Sequence, residues 1–269
     1  MNRIISTSSL IIIFFFSSFF KVQAQSTQLT DPAFQHGEKI TYTVFYNVIG
    51  MYVNAGTAYF KTSLEQFNKK DAFHVVAEGF TNKKYDWIFK VRDRYESYFS
   101  PDNLLPLKFI RNISEGGFKH HEEVTFDPDQ NIAVTNTKKV FKTKGAVLDV
   151  INAIYYARSI NYSAYAPGDK IPFNMFLGEQ VYNMYIRYIG KEVIQTRYGK
   201  FAAIKLKPLL LKGSMFDGGE NMTLWVTDDA NHIPVRAESQ ITVGSVKIDL
   251  MEYNNLRFPL KSLLALGSE

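Results

Sequence analysis

The chain has 269 residues and no cysteine. That absence excludes disulfides, thiolate metal sites and cysteine nucleophiles. It also excludes the lipid-bearing cysteine that a bacterial lipoprotein carries just after its cleavage site. Long apolar runs are equally scarce. Ile4 to Phe20 is one, and nothing after it approaches the ~20 residues a helix needs to cross a bilayer. Clustered charge is missing too. Lysine and arginine are spread out, with only doublets such as Lys69-Lys70, Lys83-Lys84 and Lys138-Lys139, which argues against a nucleic-acid partner. The motif inventory is also thin. There is no G-x-S-x-G elbow, no helical H-E-x-x-H and no glycine loop leading into a Lys-Ser/Thr helix start.

What the first residues do contain is ordered. Arg3 gives a positive start, Ile4 to Phe20 is apolar apart from Ser and Thr, and Val22-Gln23-Ala24 ends on a small residue. A charged start, an apolar stretch and a small-residue cut site make a secretory signal peptide over residues 1–24. The expected mature chain is periplasmic or secreted, unlipidated and monomeric. Losing Arg3 and Lys21 with the signal lowers the net charge from +5 to +3.

The remainder is rich in aromatics, with 22 Phe and 16 Tyr against 2 Trp. Phe and Tyr suit a pleated, half-buried surface. Residues 25–36 are polar and read as a flexible leader. Ile40, Tyr42, Val44 and Tyr46 then alternate with polar residues, the period-2 signature of a strand with one buried face. The same pattern recurs to about residue 253, punctuated by turn signals such as Asn68 to Asp71, Gly116-Gly117 and Asp127-Pro128-Asp129. Lys83 to Phe89 reads as one helical turn anchored by Trp87, Ile88 and Phe89. Val147, Val150, Ile151, Ile154 and Tyr155 recur at helical spacing, which predicts an amphipathic helix over Val147 to Ile160. Leu260, Leu263 and Leu264 predict a short docking helix in the tail 257–269. The expected fold is mostly β. A single domain over 37–256 forms a large curved antiparallel sheet, or incomplete β-barrel, with one inserted amphipathic helix on its concave side.

Several segments in series carry a resemblance. They are Gly37-Glu38-Lys39-Ile40-Thr41-Tyr42, Asn54-Ala55-Gly56, Val91 to Ser97, Asp149 to Arg158, Gly199-Lys200-Phe201, Lys205 to Pro208, Leu224 to Asp229, Ile233-Pro234-Val235 and Gly244 to Lys247. In this order and spacing the chain resembles the exported bacterial family called domain of unknown function 3108. Members often have a cysteine where this chain has Ala202-Ala203. The resemblance implies a periplasmic β-rich protein and supplies no reaction. The outline of a curved sheet with one helix is also similar to lipoprotein carriers of the LolA and LolB kind, a likeness of shape that does not fix function.

Candidate site residues fall into three groups. His120-His121-Glu122-Glu123 offers ligand types, but strand neighbours point to opposite faces, so neither side gathers three. His36, His74 and His232 stand alone. No metal and no cofactor is expected. Asp93, Arg111, Asp149 and Arg158 fall at inward or helix positions, where a buried charge must be paired. They read as ion pairs fixing the helix inside the sheet, or as a polar anchor for a ligand headgroup. Tyr42, Tyr46, Phe60, Tyr95, Phe109, Phe126 and Tyr155 line an apolar groove or fill it. The leading expectation is a non-catalytic envelope protein that binds an apolar or amphiphilic ligand, lipid or lipoprotein-like, in the concave face. The alternatives are an envelope scaffold that binds a partner chain by strand edges, and a hydrolase of an envelope polymer working through a carboxylate pair.

Overall fold

In the computed structural model, residues 27–48, 50–212, 218–241 and 244–267 are described; the expected signal peptide 1–24 lies outside them. Period-2 alternation produces fifteen strands among the described residues. They are β1 (Lys39–Val48), β2 (Met51–Phe67), β3 (Lys70–Thr81), β4 (Arg92–Phe99), β5 (Pro106–Glu115), β6 (Phe118–Asp127), β7 (Ile132–Thr135), β8 (Val140–Lys142), β9 (Lys170–Leu177), β10 (Gln180–Gln195), β11 (Gly199–Pro208), β12 (Met222–Thr227), β13 (Pro234–Gln240), β14 (Ser245–Asn254) and β15 (Leu263–Leu266). Tight turns join many of them. At Gly116-Gly117 both residues have positive φ, 53° and 100°, the conformation that lets a two-residue hairpin match the twist of its strands.

All strands belong to one antiparallel sheet in the order β8-β7-β6-β5-β4-β3-β2-β1-β14-β13-β12-β11-β10-β9, with β15 paired to β11. The β1–β14 pairing joins the two halves of the chain. The sheet is open: β8 and β9 are its two ends and share no ladder. Side chains span the gap between them. Phe141 packs against Phe176 with ring centroids 5.5 Å apart, and Lys139 Nζ lies 2.8 Å from Glu179. Leu148 covers the outer edge of β9, donating to Asn174 O at 2.8 Å and accepting from Phe176 N at 2.9 Å.

The helix α1 (Val150–Arg158) is shorter at both ends than its apolar spacing predicts. Its start is fixed by Asp149, whose carboxylate accepts from Asn152 N at 2.7 Å. This cap satisfies one of the orphan donors of the first turn, while Leu148 is drawn into the bridge to β9. Ile151, Asn152, Tyr155 and Arg158 form its buried stripe. Of these, Ile151 and Tyr155 pack into a cluster with Phe34, Phe73, Phe99, Phe109 and Phe126. Two further clusters extend the core, one around Tyr162, Tyr188 and Leu206, the other around Ile40, Tyr42 and Phe201.

Three expectations are corrected. The leader is not loose: Ala33 and Phe34 are fully buried, and Phe34 meets Tyr155 edge-on at 4.7 Å. A lone apolar pair in polar context has no periodicity to announce it, yet it packs into the core between the helix and strands β3 and β4. The tail forms β15 instead of a helix. Gly199–Phe201 leaves backbone groups unpaired on one side, and only a strand can pair them. The segment Lys83–Tyr85 is a single 3-10 turn, but Trp87, Ile88 and Phe89 do not anchor it in the core: all three are exposed, and the Phe89 ring lies over Gly116 of the neighbouring turn.

Candidate cleft between the helix and strands β2 to β4

Register places two inward rows side by side. One runs Tyr42–Ala58–Gly79–Asp93 and the other Ile40–Phe60–Ala77–Tyr95–Arg111–Glu122, across neighbouring strands. Where the rows pass under α1, the side chains become small. Ala58, Ala77 and Gly79 form a floor. Phe60, Tyr95 and Asp93 surround it, and Val150 and Ile151 of the helix stand opposite. The space between is a cleft of about 210 Å³. An apolar void of about 150 Å³ already admits benzene, and one water needs only ~10–15 Å³. Glu78 also borders the cleft but is spent on Arg94.

Gly79 is what keeps the space open. It sits mid-strand, outside the left-handed region, so its backbone does not require glycine. A Cβ built there meets no atom within 4 Å. A strand glycine weakens its strand, and one with no conformational reason marks a place where something approaches the backbone closely.

The four polar candidates do not pair with one another. Asp93 accepts from Ser114 N at 2.9 Å and faces Glu115, whose pKa is raised by burial and by the Asp93 charge. Arg111 pairs with Glu122 at 2.8 Å, and Glu122 also accepts from Gly178 N at 2.8 Å. Asp149 accepts from Ser97 Oγ at 2.6 Å as well as from Asn152 N. Burial nevertheless outweighs these bonds and pushes its pKa up to about 7. Arg158 finds a partner outside the group of four. It meets Glu38 at 2.6 and 2.8 Å and donates to the carbonyls of Asn231 and Ala33. Burial opposes its charge, but Glu38 prevails and holds the guanidinium above its ordinary pKa. The helix is therefore fixed by an ion pair, but to Glu38 just before β1 and not to Asp93 or Arg111.

The aromatic candidates divide as well. Tyr95 is in the cleft wall, and burial pushes its phenol up to about 12. Tyr42, Phe109, Phe126 and Tyr155 are buried in the clusters and fill the interior instead of lining a groove. Tyr155 also shares a hydrogen bond with Thr62 at 2.9 Å. Phe126 borders only a crevice of about 10 Å³. Tyr46 is half-buried near the end of β1, apart from the cleft.

The histidines that look isolated in sequence are not isolated. His74 bridges Glu65 and Glu96 at 3.0 Å each and stacks on Tyr98. His36 accepts from Leu64 N at 3.0 Å. His232 Nδ1 lies 2.7 Å from Arg158 O, and burial lowers its pKa. His120 and His121 contact Arg111 and Asn112 on opposite faces of the hairpin. No group of three or more metal-ligating side chains occurs among the described residues.

Sequence reasoning did not find Gly79, Ala58, Ala77, Val150 or Ile151 as cleft residues, nor Glu38 as a partner. The one usable signal was Gly79, a glycine interrupting an otherwise strong β3.

The family model described as "Protein of unknown function (DUF3108)" matches residues 41–251. No curated protein matches the chain. Among solved structures, the fold is shared with a β-barrel-like protein of domain of unknown function DUF1849 from Brucella abortus. That match has a TM-score of 0.55 and 7% identity, and covers 82% of this chain and 99% of that one. A candidate exported protein with a YmcC-like fold from Bacteroides fragilis matches at a TM-score of 0.34 and 11% identity, over 85% of this chain and 100% of that one. No helix among the described residues is long and apolar enough to cross a membrane.

Proposed function

The chain belongs to the DUF3108 family, and we propose that it is a non-catalytic cell-envelope protein whose cleft holds the apolar part of a lipid-like or other amphiphilic ligand. The observation that carries this reading is the open space above Gly79, bounded by Ala58, Ala77, Phe60, Tyr95, Val150 and Ile151. Small ligand sites are concave and mostly apolar, with few polar groups to fix orientation. Here Asp93 supplies the polar group at one side. The order of charge, apolar run and small residues over 1–24 supports export, so the ligand is one met in the periplasm or outside the cell.

The competing readings have less behind them. Pairing by strand edges needs a free edge, and β8 is three residues long while Leu148 covers β9. A hydrolase needs carboxylates facing across a polar groove. Asp93 has Glu115 beside it, but the cleft floor is apolar. Native mass spectrometry of protein purified from its own envelope tests the proposal. Adducts of lipid mass should appear, and should be lost in Gly79→Leu. Bare protein from every preparation would count against it.

A further inference from the structure

Consecutive antiparallel strands bring every second connection to the same end of a sheet. One end of this sheet therefore collects the β1–β2 turn, the connection 82–91 between β3 and β4, and the Gly116-Gly117 turn between β5 and β6. That end is where the large apolar side chains reach water. Trp87 is 83% exposed, Ile88 63% and Phe118 61%, with Phe89 and Met51 also exposed. Elsewhere, exposed apolar residues stand singly on strand faces, as Val193 and Met251 do, apart from Leu264 and Leu266 on the short edge strand β15, which have no tryptophan beside them.

The loop that presents them is built. Thr81 Oγ1 donates to Asp86 at 2.7 Å, and Asp86 in turn takes Arg92 at 2.6 Å. Ile88 N and Phe89 N both donate to Tyr85 O, at 2.9 and 3.2 Å. Gly116 N donates to Lys90 O at 2.9 Å, and the Phe89 ring lies so close over Gly116 that a Cβ there would sit 2.3 Å from it. The two loops are thus one platform. Holding Trp and Ile out in water is unfavourable by itself, so a platform that does so points to a surface that receives them.

The charges beside these residues indicate which surface. Lys83, Lys84 and Lys90 on the 82–91 connection and Lys119 at the start of β6 are all exposed. The one acid within the 82–91 connection, Asp86, is neutralised by Arg92. Trp among lysines suits the boundary between headgroups and acyl chains, with ammonium groups meeting anionic phosphates. We propose that this end of the molecule docks on an anionic bilayer surface, with Trp87 and Ile88 entering the headgroup–acyl boundary and the four lysines meeting lipid phosphates. The Gly79–Asp93 pair of the cleft lies only one pair in from the Phe80–Arg92 pair that precedes the loop. Docking would hold the cleft next to the membrane, but the docking claim does not depend on the cleft being occupied.

The chain's two tryptophans make the test direct. Trp225→Phe leaves Trp87 as the sole emitter. Vesicles of phosphatidylcholine with a third phosphatidylglycerol should shift its emission to the blue, and vesicles of phosphatidylcholine alone should not. In flotation with otherwise wild-type protein, W87S/I88S should weaken binding to the anionic vesicles about tenfold or more. K83E/K84E should weaken it by a similar factor and abolish the anionic preference. Both variants alter exposed residues and should keep the wild-type thermal midpoint. Unshifted Trp87 emission on anionic vesicles, or flotation of W87S/I88S equal to wild type, would overturn the proposal. Equal binding to both vesicle types would overturn its anionic component.

Discussion

Replacing Glu38 by Gln isolates the interaction that ties α1 to the sheet. The Glu38–Arg158 pair is 0% and 3% exposed, with two charge-assisted bonds of 2.6 and 2.8 Å. In Glu38→Gln the guanidinium stays buried. It keeps two carbonyl acceptors, Asn231 O and Ala33 O, and the rings of Phe34 and Tyr155 at 5.5 and 5.3 Å. Breaking a buried pair by removing one partner costs about 3–5 kcal/mol. The surviving ring contacts are worth ~0.5–2 kcal/mol whether or not the carboxylate is present, so they do not offset that loss. The expected destabilisation is therefore about 3–5 kcal/mol, a large share of the ~5–15 kcal/mol that a domain has in total. Urea unfolding followed by circular dichroism reads it as a lower midpoint at unchanged slope. A second variant, Glu38→Leu with Arg158→Met, replaces both charges by apolar groups and should recover part of the loss, the Asn231 and Ala33 carbonyls being left without their donor. A loss below about 1 kcal/mol in the single variant would show that water reaches the pair and that the helix is held otherwise.

Other consequences follow for stability and for ligand binding. Ile151→Ala should cost about 2–5 kcal/mol, because Ile151 is buried between the helix and the sheet, with the cleft on one side; a loss under half that would mean the site collapses freely. Asp149 has a folded-state pKa raised to about 7 from 3.8, so the stability it contributes is fully present below about pH 4 and is lost as pH rises through 7. At ~1.4 kcal/mol per unit this is on the order of 4 kcal/mol. Asp149→Asn keeps the cap and should flatten the stability profile over that window, whereas an unchanged slope would refute the raised pKa. His120→Ala with His121→Ala should leave ligand binding and folding as they are, since both rings sit outside the cleft; weakened binding would bring them back as site residues.

The fold was legible wherever one face of a strand is buried. Ile40 and Tyr42 alternate with polar residues because the pleat forces them to opposite sides, and the helical spacing of Ile151 and Tyr155 is equally forced. Contacts that depend on distant chain were not legible. Arg158 clearly needed a partner, but Glu38 lies 120 residues away and carries no local mark. Phe34 and the strand β15 are fixed by a hole and by an unpaired edge that exist only once the sheet has formed. Aromatic residues mislead in both directions. Phe109 and Tyr155 have the composition of a ligand groove and are core, while Trp87 and Ile88 have the composition of core and face water. The cleft is written in small residues, and smallness gives no periodic signal.

Titration of a fluorescent fatty-acid analogue into wild type and Gly79→Leu, side by side, decides whether the space above Gly79 holds an apolar ligand. The leucine has open space in front of it and no backbone strain, so the variant should fold with wild-type stability or better. Wild type should bind the analogue at micromolar concentrations and Gly79→Leu at least about tenfold more weakly, as expected when an apolar site is filled by its own side chain. Equal binding by the two proteins, or no binding by wild type, would contradict the claim that the space above Gly79 is a ligand site.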